Sequence, residues 1–244
     1  MCNPYENDKI LGEYLLFHFG QEHQIMPWSF GPQNGCHFPK RTVDELVDFS
    51  SIPTQSSALD LGCAVGGSSF HLTHFFNKVT GLDYSTFFIE AANHLKAEGT
   101  LPYRFQLEGD RYEEGIAEIS RNHESVIDFL TGDACNLPEN IGVFDLVHAA
   151  NLICRLESPI KLLERFHELV KPGGQLVLAT PFTWLEEFTK KEHWLGSGNS
   201  AEVLQKYLEP HFLLEKKVEL PFVIREHRRK FQFSVSFGTR WRRI

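Results

Sequence analysis

A glycine-rich turn at residues 62–67 is the part of the chain with the clearest chemical use. It follows a short apolar run containing Asp60, and a helical stretch opens behind it at Ser68. A buried strand, a tight turn and a helix start bring backbone N–H groups against a ligand, because glycine has no Cβ to keep the ligand away. Asp83 ends the next apolar run, about twenty residues further on, where a carboxylate can accept both hydroxyls of a ribose. The spacing predicts a site for a nucleoside-containing cofactor.

Two cofactors compete for this turn. The nicotinamide fingerprint has glycine at its first, third and sixth positions, but Ala64 occupies the third position here. The S-adenosylmethionine loop, roughly acid-x-Gly-x-Gly/Ala-x-Gly, is matched by Asp60, Gly62, Ala64 and Gly66. The pair Asp133-Ala134 after a third apolar run favours the second cofactor, because an acid there is typical of adenine binding in methyltransferases. The series resembles the class I S-adenosylmethionine-dependent methyltransferases.

That resemblance implies a set of cofactor contacts around the ends of the first four strands. Arg41 is included because a guanidinium pairs bidentately with a carboxylate such as that of the cofactor, although a plain surface arginine is the alternative. The candidate cofactor-binding residues are Arg41, Asp60, Gly62, Cys63, Ala64, Gly66, Asp83, Tyr84, Asp133, Ala134 and Asn151.

The elements that position these residues alternate between strands and helices. Apolar runs predict strands at 58–61, 79–83, 127–130, 144–150, 175–180, 218–224 and 231–237. Helical spacing predicts helices at 3–20, from 38 to near 49, 70–76, from the cap Ser85 to Gly99, 158–169 and 201–208. Residues 101–125 look like an insertion of a strand and a short helix around 113–119. The expected fold is an α/β, Rossmann-like class I methyltransferase with a seven-stranded mixed sheet, an antiparallel last strand and an N-terminal helical lid.

Length and composition are consistent with one domain. The 244 residues favour a single unit, with residues 1–50 as a helical cap and 51–244 as the core. A net charge of −8 disfavours a nucleic-acid partner. Five cysteines without a CxxC pair predict neither a disulfide framework nor a metal site. We see no signal peptide and no apolar run of membrane length, so we expect a soluble, cytoplasmic protein without a membrane partner.

Several longer stretches resemble one family more closely. They are NPYE at 3–6, EYLLFHFG at 13–20, AANLI at 149–153, PFTWLEEF at 181–188, PFVIREH at 221–227 and KFQ at 230–232. Together they resemble the methyltransferase domain of ovothiol-biosynthesis enzymes, the mercaptohistidine N-methyltransferases. This likeness implies methylation of the imidazole nitrogen of thiohistidine beside the carbon that bears the side chain. The iron-dependent sulfoxide synthase that usually precedes the domain is not in this sequence, which predicts a separate sulfoxide or selenoxide synthase as partner. Thiohistidine and its selenium analogue, as in ovoselenol-type pathways, both stay open as substrates.

The substrate's charged ends and ring call for several polar and aromatic partners. An arginine such as Arg225 suits its carboxylate, and Glu226 or Asn151 suits its ammonium group or a ring N–H. His227 is the candidate catalytic base, although an imidazole nitrogen titrates near neutrality and a base is not required. The candidate substrate contacts are Tyr14, His18, Asn151, Thr183, Trp184, Arg225, Glu226, Lys230 and Phe231.

Each of these assignments has a plainer alternative. Tyr14 and His18 either form a lid over the cofactor or simply pack on the core. Residues 225–230 are either a substrate-binding element or a solvated hairpin turn. At the level of function, the alternatives are a methyltransferase for another small amine or acid and a non-catalytic module that binds S-adenosylmethionine as a sensor or scaffold.

Overall fold

The computed structural model describes residues 5–122, 124–196 and 198–244. Its central sheet has seven strands in the order β5-β2-β1-β6-β7-β9-β8. Strands β5, β2, β1, β6 and β7 are parallel, and β9 is antiparallel to both of its neighbours. This confirms the predicted seven-stranded mixed sheet. The strands of the sheet are β1 (Ser57–Leu61), β2 (Lys78–Asp83), β5 (Val126–Thr131), β6 (Phe144–Ala150), β7 (Val170–Thr180), β8 (Phe212–His227) and β9 (Lys230–Arg243).

Helices cover both faces of the sheet, as a parallel sheet requires. One apolar cluster joins one face of the sheet to α1, α3, α4 and α5, and the second joins the other face to α6 and α7. The helices are α1 (Asp8–Phe19), α2 (Glu22–Ile25), α3 (Phe38–Leu46), α4 (Gly67–Leu72), α5 (Thr86–Glu98), α6 (Pro159–Leu169) and α7 (Ser200–Leu208). The predicted caps of α5 are confirmed, since the Ser85 hydroxyl accepts from the Phe88 N–H at 3.3 Å and Gly99 has a φ of +80°.

The first helix is shorter than predicted. It begins at Asp8, because the side chain of Asn7 accepts a hydrogen bond from the Ile10 N–H at 2.9 Å and so caps it. Residues 3 and 4 of the predicted helix lie outside the described residues. The segment 21–39, predicted to be a loop, contains the short helix α2 and the start of α3. The predicted division into a cap (1–50) and a core (51–244) stays a prediction.

The insertion after α5 is a β-hairpin, so the helix predicted at 113–119 is wrong. Strands β3 (Thr100–Glu108) and β4 (Arg111–Glu118) pair antiparallel as a separate two-stranded sheet. The turn at Gly109, with a φ of +52°, lets the chain fold straight back, and pairing with β3 overrides the weak helical preference of this glutamate-rich segment. Gly12 of α1 lies against the Arg104 carbonyl of β3, where a Cβ would clash.

The last two strands are much longer than predicted, and their hairpin projects beyond the end of β7. Thr180 pairs with Phe237 at the end of β7, whereas β8 and β9 stay paired as far as His227 and Lys230. The tip is bound to other elements: the Arg228 N–H donates to the Leu107 carbonyl at 3.0 Å, and the Trp28 indole N–H donates to the Arg228 carbonyl at 2.9 Å. The hairpin therefore lies beside α1 and the β3–β4 hairpin above the carboxyl end of the sheet. Within the described residues, no helix has the length and apolarity needed to cross a bilayer.

Candidate functional site

The glycine-rich turn has the backbone that its sequence predicts. Gly62, Ala64 and Gly66 have φ angles of +68°, +47° and +88°, a left-handed region that glycine enters easily and alanine at a cost. The N–H groups of Gly62 and Cys63 donate to the Leu82 carbonyl at 2.7 and 3.1 Å, which fixes the turn against the end of β2. A Cβ on Gly66 would lie 2.8 Å from the ring of Phe129. The turn is thus a close-fitting cradle of bare backbone.

Asp83 lies at the end of β2 beside this cradle. Its Oδ2 accepts from the Ala64 N–H at 2.9 Å, and its Oδ1 accepts from the Ser85 N–H at 2.8 Å. Burial raises the pKa of Asp83 to about 6, even though these backbone donors lower it. A desolvated carboxylate of this kind gains from further donors, and two ribose hydroxyls supply them. The cradle and the carboxylate together fit the adenosine part of S-adenosylmethionine.

The neighbouring strand ends supply the other predicted cofactor residues. Tyr84 follows Asp83 with 66% of its surface exposed, and the Gly132 N–H donates to the Asp83 carbonyl at 2.9 Å, so the ends of β2 and β5 meet. Asp133 caps the next turn by accepting from the Cys135 N–H at 2.8 Å, and Ala134 is buried beneath it. These residues lie at one edge of the site, and their contact with an adenine stays a prediction.

Asp60 has another role than the predicted cofactor contact. Its carboxylate is buried beneath the turn and accepts from Ser68 and Ser69 at 2.7 and 2.5 Å. Its other oxygen lies 2.7 Å from Nδ1 of His148, whose Nε2 lies 2.9 Å from the Thr42 hydroxyl. Burial alone would raise the pKa of Asp60, but the attraction of His148 and these hydrogen bonds lower it. Asp60 supports the turn from below and binds the first turn of α4 and, through His148, α3.

Two further predicted cofactor residues, Cys63 and Arg41, have side chains that the protein itself buries or engages, and a cofactor contact through the Cys63 backbone stays a prediction. The thiol of Cys63 is buried, and burial raises its pKa well above the usual value, so Cys63 contributes its backbone to the turn. Arg41 forms an ion pair with Glu45 at 2.7 Å and donates to the carbonyls of Asn34 and Pro221. It thereby joins α3 to β8, and its guanidinium is occupied by these contacts rather than presented to the cofactor.

Helix α1 lies directly over the glycine turn. The Gly67 N–H donates to Nδ1 of His18 at 3.1 Å, and burial lowers the pKa of His18 to about 4, so the neutral ring acts as the acceptor. One turn earlier, the ring of Tyr14 lies 4.7 Å from that of Phe88. The sequence left open whether Tyr14 and His18 form a lid over the cofactor or pack on the core. The two interpretations are compatible, because the buried side chains of α1 pack on the cofactor turn itself.

Tyr5, Tyr14, Phe88 and Phe188 form an aromatic cluster beside this turn, called the chamber below. Tyr5 is at its centre, 5.8 Å from both Phe88 and Phe188 and 5.9 Å from Tyr14 between ring centres. Its phenol oxygen accepts hydrogen bonds from Tyr14 and from Arg155, and burial raises its pKa. The charges of Arg155 and Asp83 both act on the two tyrosines, so the chamber adjoins the predicted ribose site.

Sequence reasoning missed Tyr5, Phe188 and Arg155 as functional residues. Each lies in, or just beyond, a stretch that carries the resemblance: Tyr5 in 3–6, Phe188 at the end of 181–188, and Arg155 two residues after 149–153. Two predicted wall residues of the same loop do not line the chamber with their side chains. Trp184 turns away, donating to the Ser200 hydroxyl at 3.0 Å and stacking on Trp194 at 6.4 Å.

Thr183, in that loop, has an exposed side chain, and its contribution to the site is its carbonyl. That carbonyl accepts from Nη1 of Arg155 at 2.8 Å. Asn151, at the end of β6, has a φ of +55°. Its side-chain oxygen accepts from the Ser236 hydroxyl at 2.6 Å, which links it to β9.

The side chains of the β8–β9 hairpin lie on two opposite faces. Ser236 and Gln232 share the face of Asn151, because side chains alternate along β9. Arg225 and Phe231 pair directly across the hairpin and point to the other face. Arg225 is 3% exposed, donates to the Gln24 carbonyl at 2.5 Å and lies 5.0 Å from the ring centre of Phe105. The prediction for Arg225 is therefore corrected, since Arg225 joins α2 and β3 to the hairpin. Phe231 is partly buried against the core, and its contact with a substrate stays a prediction.

The remaining candidates lie at the hairpin tip. Glu226 pairs with Lys230 at 2.7 Å and accepts from the Gln232 side chain at 3.2 Å. His227 accepts from the Arg229 N–H at 3.3 Å inside the turn, so the predicted base is a turn residue. Buried Glu13 on α1 feels the charge of Glu226, and burial raises its pKa to about 7. The carboxyl group that titrates near neutrality here is thus Glu13, which the sequence did not single out.

The fold is that of the class I S-adenosylmethionine-dependent methyltransferases. Residues 59–178 match the family described as "Methyltransferase domain". Among solved structures, the chain resembles the magnesium protoporphyrin IX methyltransferase of Synechocystis PCC 6803 with bound SAM, at a TM-score of 0.56 and 17% identity over 99% of this chain and 100% of that one. It also resembles the N-methyltransferase NodS of Bradyrhizobium japonicum WM9 with S-adenosyl-l-homocysteine. The TM-score is 0.53 and the identity 15%, over 96% of this chain and 98% of that one.

Two curated relatives match the chain at low identity. Phosphoethanolamine N-methyltransferase 3 of Arabidopsis thaliana is 24% identical over 56% of this chain and 23% of its own length. Norajmaline N-methyltransferase of Rauvolfia serpentina is 26% identical over 57% of this chain and 42% of its own. The chain therefore spans less than half of the length of these relatives. The comparisons identify a methyltransferase domain and leave its substrate open.

Proposed function

We propose that the protein transfers a methyl group from S-adenosylmethionine to a ring nitrogen of thiohistidine or of its selenium analogue. The observation that carries the proposal is the aromatic chamber beside the cofactor cradle. Most of the stretches that resemble the mercaptohistidine N-methyltransferases contribute to it or to its polar rim, although they are far apart in the sequence. Such convergence supports a common role in binding one substrate.

The chemistry of the chamber suits a planar heteroaromatic ring. Four aromatic side chains cluster next to Asp83, and an imidazole that stacks on them offset or edge-on is held in one plane. Asn151, at the end of β6, is hydrogen-bonded to Ser236 of the hairpin, and in this proposal these two residues form the polar rim. The names of the two curated relatives both specify nitrogen as the methyl acceptor, which supports a nitrogen nucleophile here.

The protein's task in this reaction is alignment. When bound, S-adenosylmethionine supplies a methyl group already activated by its sulfonium. The chamber holds the ring so that a nitrogen lone pair faces that carbon in line with the breaking C–S bond, and α1 keeps water out. The new N–C bond forms as the C–S bond breaks, and the ring loses a proton to solvent. An imidazole nitrogen near neutral pH already has its lone pair available, so no side chain has to remove a proton first.

A substrate panel tests the proposal. The purified protein is incubated with S-adenosylmethionine and, separately, histidine, thiohistidine and selenohistidine, and products are followed by mass spectrometry and NMR. We expect a ring N-methyl product from thiohistidine, selenohistidine or both, and much less product from the Asp83→Ala control at the same subsaturating cofactor concentration. Brisk methylation of another metabolite with thiohistidine and selenohistidine inert would remove this proposal. Tight cofactor binding without turnover of any compound would favour the sensor or scaffold alternative.

A further inference from the structure

Arg155 stands out among the cations around the chamber. Arg41 pairs with Glu45, Lys230 pairs with Glu226, and Arg225 is buried on the opposite face of the hairpin. Within the described part of the chain, Arg155 forms no ion pair with a carboxylate, although it is half-buried. Its recorded contacts are neutral: the carbonyls of Cys154 and Thr183, the Cys154 sulfur, the Tyr5 phenol and the face of Phe188.

The geometry holds this guanidinium in place. Nη1 donates to the Thr183 carbonyl at 2.8 Å and to the Cys154 carbonyl at 3.1 Å. The Arg155 guanidinium lies 5.1 Å from the ring centre of Phe188, whose ring is in turn 5.8 Å from that of Tyr5. An arginine fixed through one nitrogen and one face keeps its remaining N–H groups in a defined orientation, which suits recognition of a planar anion.

A half-buried cation without an anionic partner favours binding of an anion, because the charge has lost part of its hydration and its neutral protein contacts do not neutralise it. The Tyr5 phenol connects Arg155 to the chamber, and Asp83 acts on the same phenol from the cofactor side. The cation therefore belongs to the substrate end of the site. An anion bound there is attached to the molecule whose ring occupies the chamber.

We propose that Arg155 binds the α-carboxylate of the substrate and so makes the enzyme specific for an amino acid rather than the corresponding amine. This inference rests on the proposed function, because it assigns one end of the same substrate. It also replaces Arg225, which sequence reasoning favoured. The charged fork of Arg155 matches a carboxylate bidentately, and the bound carboxylate orients the ring between the aromatic side chains.

The test compares thiohistidine with its decarboxylated amine in the wild type, Arg155→Gln and Arg155→Ala. Glutamine keeps an N–H donor for the Thr183 carbonyl while removing the charge, so it separates loss of recognition from loss of structure. We expect Arg155→Gln to raise the KM for thiohistidine roughly 10- to 100-fold, the range for one charge-assisted bidentate pair, with a smaller change in kcat. Replacing thiohistidine by its decarboxylated amine should raise the KM of the wild type by a similar factor. It should change the KM of both variants little, because they have already lost the arginine that pairs with the carboxylate.

Arg165→Ala is the matched control, because Arg165 is an arginine of α6 that pairs with Glu168 away from the chamber. It should behave as the wild type with both compounds. Calorimetry should give the same S-adenosylmethionine affinity for all four proteins, and thermal melting checks that they fold. Equal losses in the wild type and Arg155→Gln on removing the carboxylate would overturn the assignment.

Binding experiments separate this inference from the proposed function. If thiohistidine and selenohistidine prove inert, the proposed function fails, and histidine and histamine are then titrated by calorimetry into the protein saturated with S-adenosylhomocysteine. Tighter binding of histidine by the wild type, with the preference lost in Arg155→Gln, still supports a carboxylate site at Arg155. Absence of any preference for histidine, or of any binding, would overturn it.

Discussion

The cofactor half and the proposed substrate half of the site are built in different ways. The cofactor half is local: a turn of six residues and the strand end at Asp83 are joined by backbone hydrogen bonds. The substrate half is assembled from segments far apart in the sequence, including Tyr5, Arg155, Phe188 and Ser236. Its geometry depends on how α1, the loop after β7 and the β8–β9 hairpin pack together.

This difference explains which residue roles follow from the motifs. In the cofactor half, the backbone conformation of the turn determines how the cofactor binds. Glycines and acids at strand ends indicate that conformation directly in the sequence. In the substrate half, a shift of one position along a strand moves a side chain to the other face. Arg225 and Glu226 are neighbours in the sequence, yet Arg225 is buried against Phe105 and Glu226 pairs with Lys230 at the tip.

The largest effect should come from the local half. Gly62→Val places a β-branched residue at a φ of +68° with its Cβ 2.9 Å from Leu152. We expect S-adenosylmethionine affinity to fall at least on the order of a hundredfold, because strain and the added side chain disturb the cradle. Gly99→Val is the matched control, since Gly99 has a φ of +80° but nothing within 4 Å of an added Cβ. Calorimetry should show normal affinity for that control. Equal affinities for the two variants would contradict a cradle at Gly62.

Asp83→Ala should weaken S-adenosylmethionine by about 2–4 kcal/mol, because two hydrogen bonds to a charged group are lost. The wild type should also bind more tightly as the pH rises from 5 to 7. Asp83 has a pKa of about 6 without ligand, and ribose donors favour its ionised form, so binding releases a proton below that pH. The slope is at most about tenfold per pH unit. Titrations of Asp83→Asn should lack this slope; if they keep it, another group is responsible.

Arg225→Ala should act on stability rather than on substrate recognition. The variant loses a buried hydrogen bond from a charged group and a cation–π contact, about 2 kcal/mol together. Its Nε has no hydrogen-bond partner in the described structure, so removing it offsets part of that loss. Urea unfolding should show the destabilisation, and the preference for thiohistidine over its amine should match the wild type. A lost preference here with a retained one in Arg155→Gln would reverse the two roles.

Glu13 gives the cap a pH-dependent stability. Burial raises its pKa to about 7 from the usual 4.5, so between these values the folded protein holds a proton that the unfolded chain has lost. The free energy of unfolding should therefore fall as the pH rises from about 4.5 to 7, by at most roughly 1.4 kcal/mol per unit, and then level off. Urea unfolding at pH 5 and 8 should show this loss in the wild type and in the surface control Glu168→Gln. If Glu13→Gln loses as much unfolding free energy between pH 5 and 8 as the wild type, the pH dependence belongs to another group.

The sequence was sufficient to predict the sheet, the caps of α5 and the cofactor turn. Their signals are local: apolar periodicity for the strands, Ser85 and Gly99 for the caps, and the glycines for the turn. It was not sufficient where pairing partners decide the structure. The segment 113–119 has a composition compatible with a helix but pairs with β3, and the extra length of β8 and β9 follows from their packing on α1 and β3. Arg155 carried no motif of its own. Its role depends on the loop carbonyl at Thr183, which no local pattern in the sequence reveals.

The smallest effect should come from His227, the residue that its position in a charged stretch made most attractive as a base. Its Nδ1 accepts one long hydrogen bond inside the hairpin turn, and the tip is held independently by Leu107 and Trp28. His227→Ala should therefore change stability by no more than about 0.5 kcal/mol and leave the pH profile of kcat unchanged, because no proton transfer depends on it. Steady-state kinetics from pH 5.5 to 9 measures this. A fall in kcat of ten-fold or more, with one limb of the pH profile lost, would show that His227 is the catalytic base after all. The hairpin tip would then have to move toward the chamber during turnover.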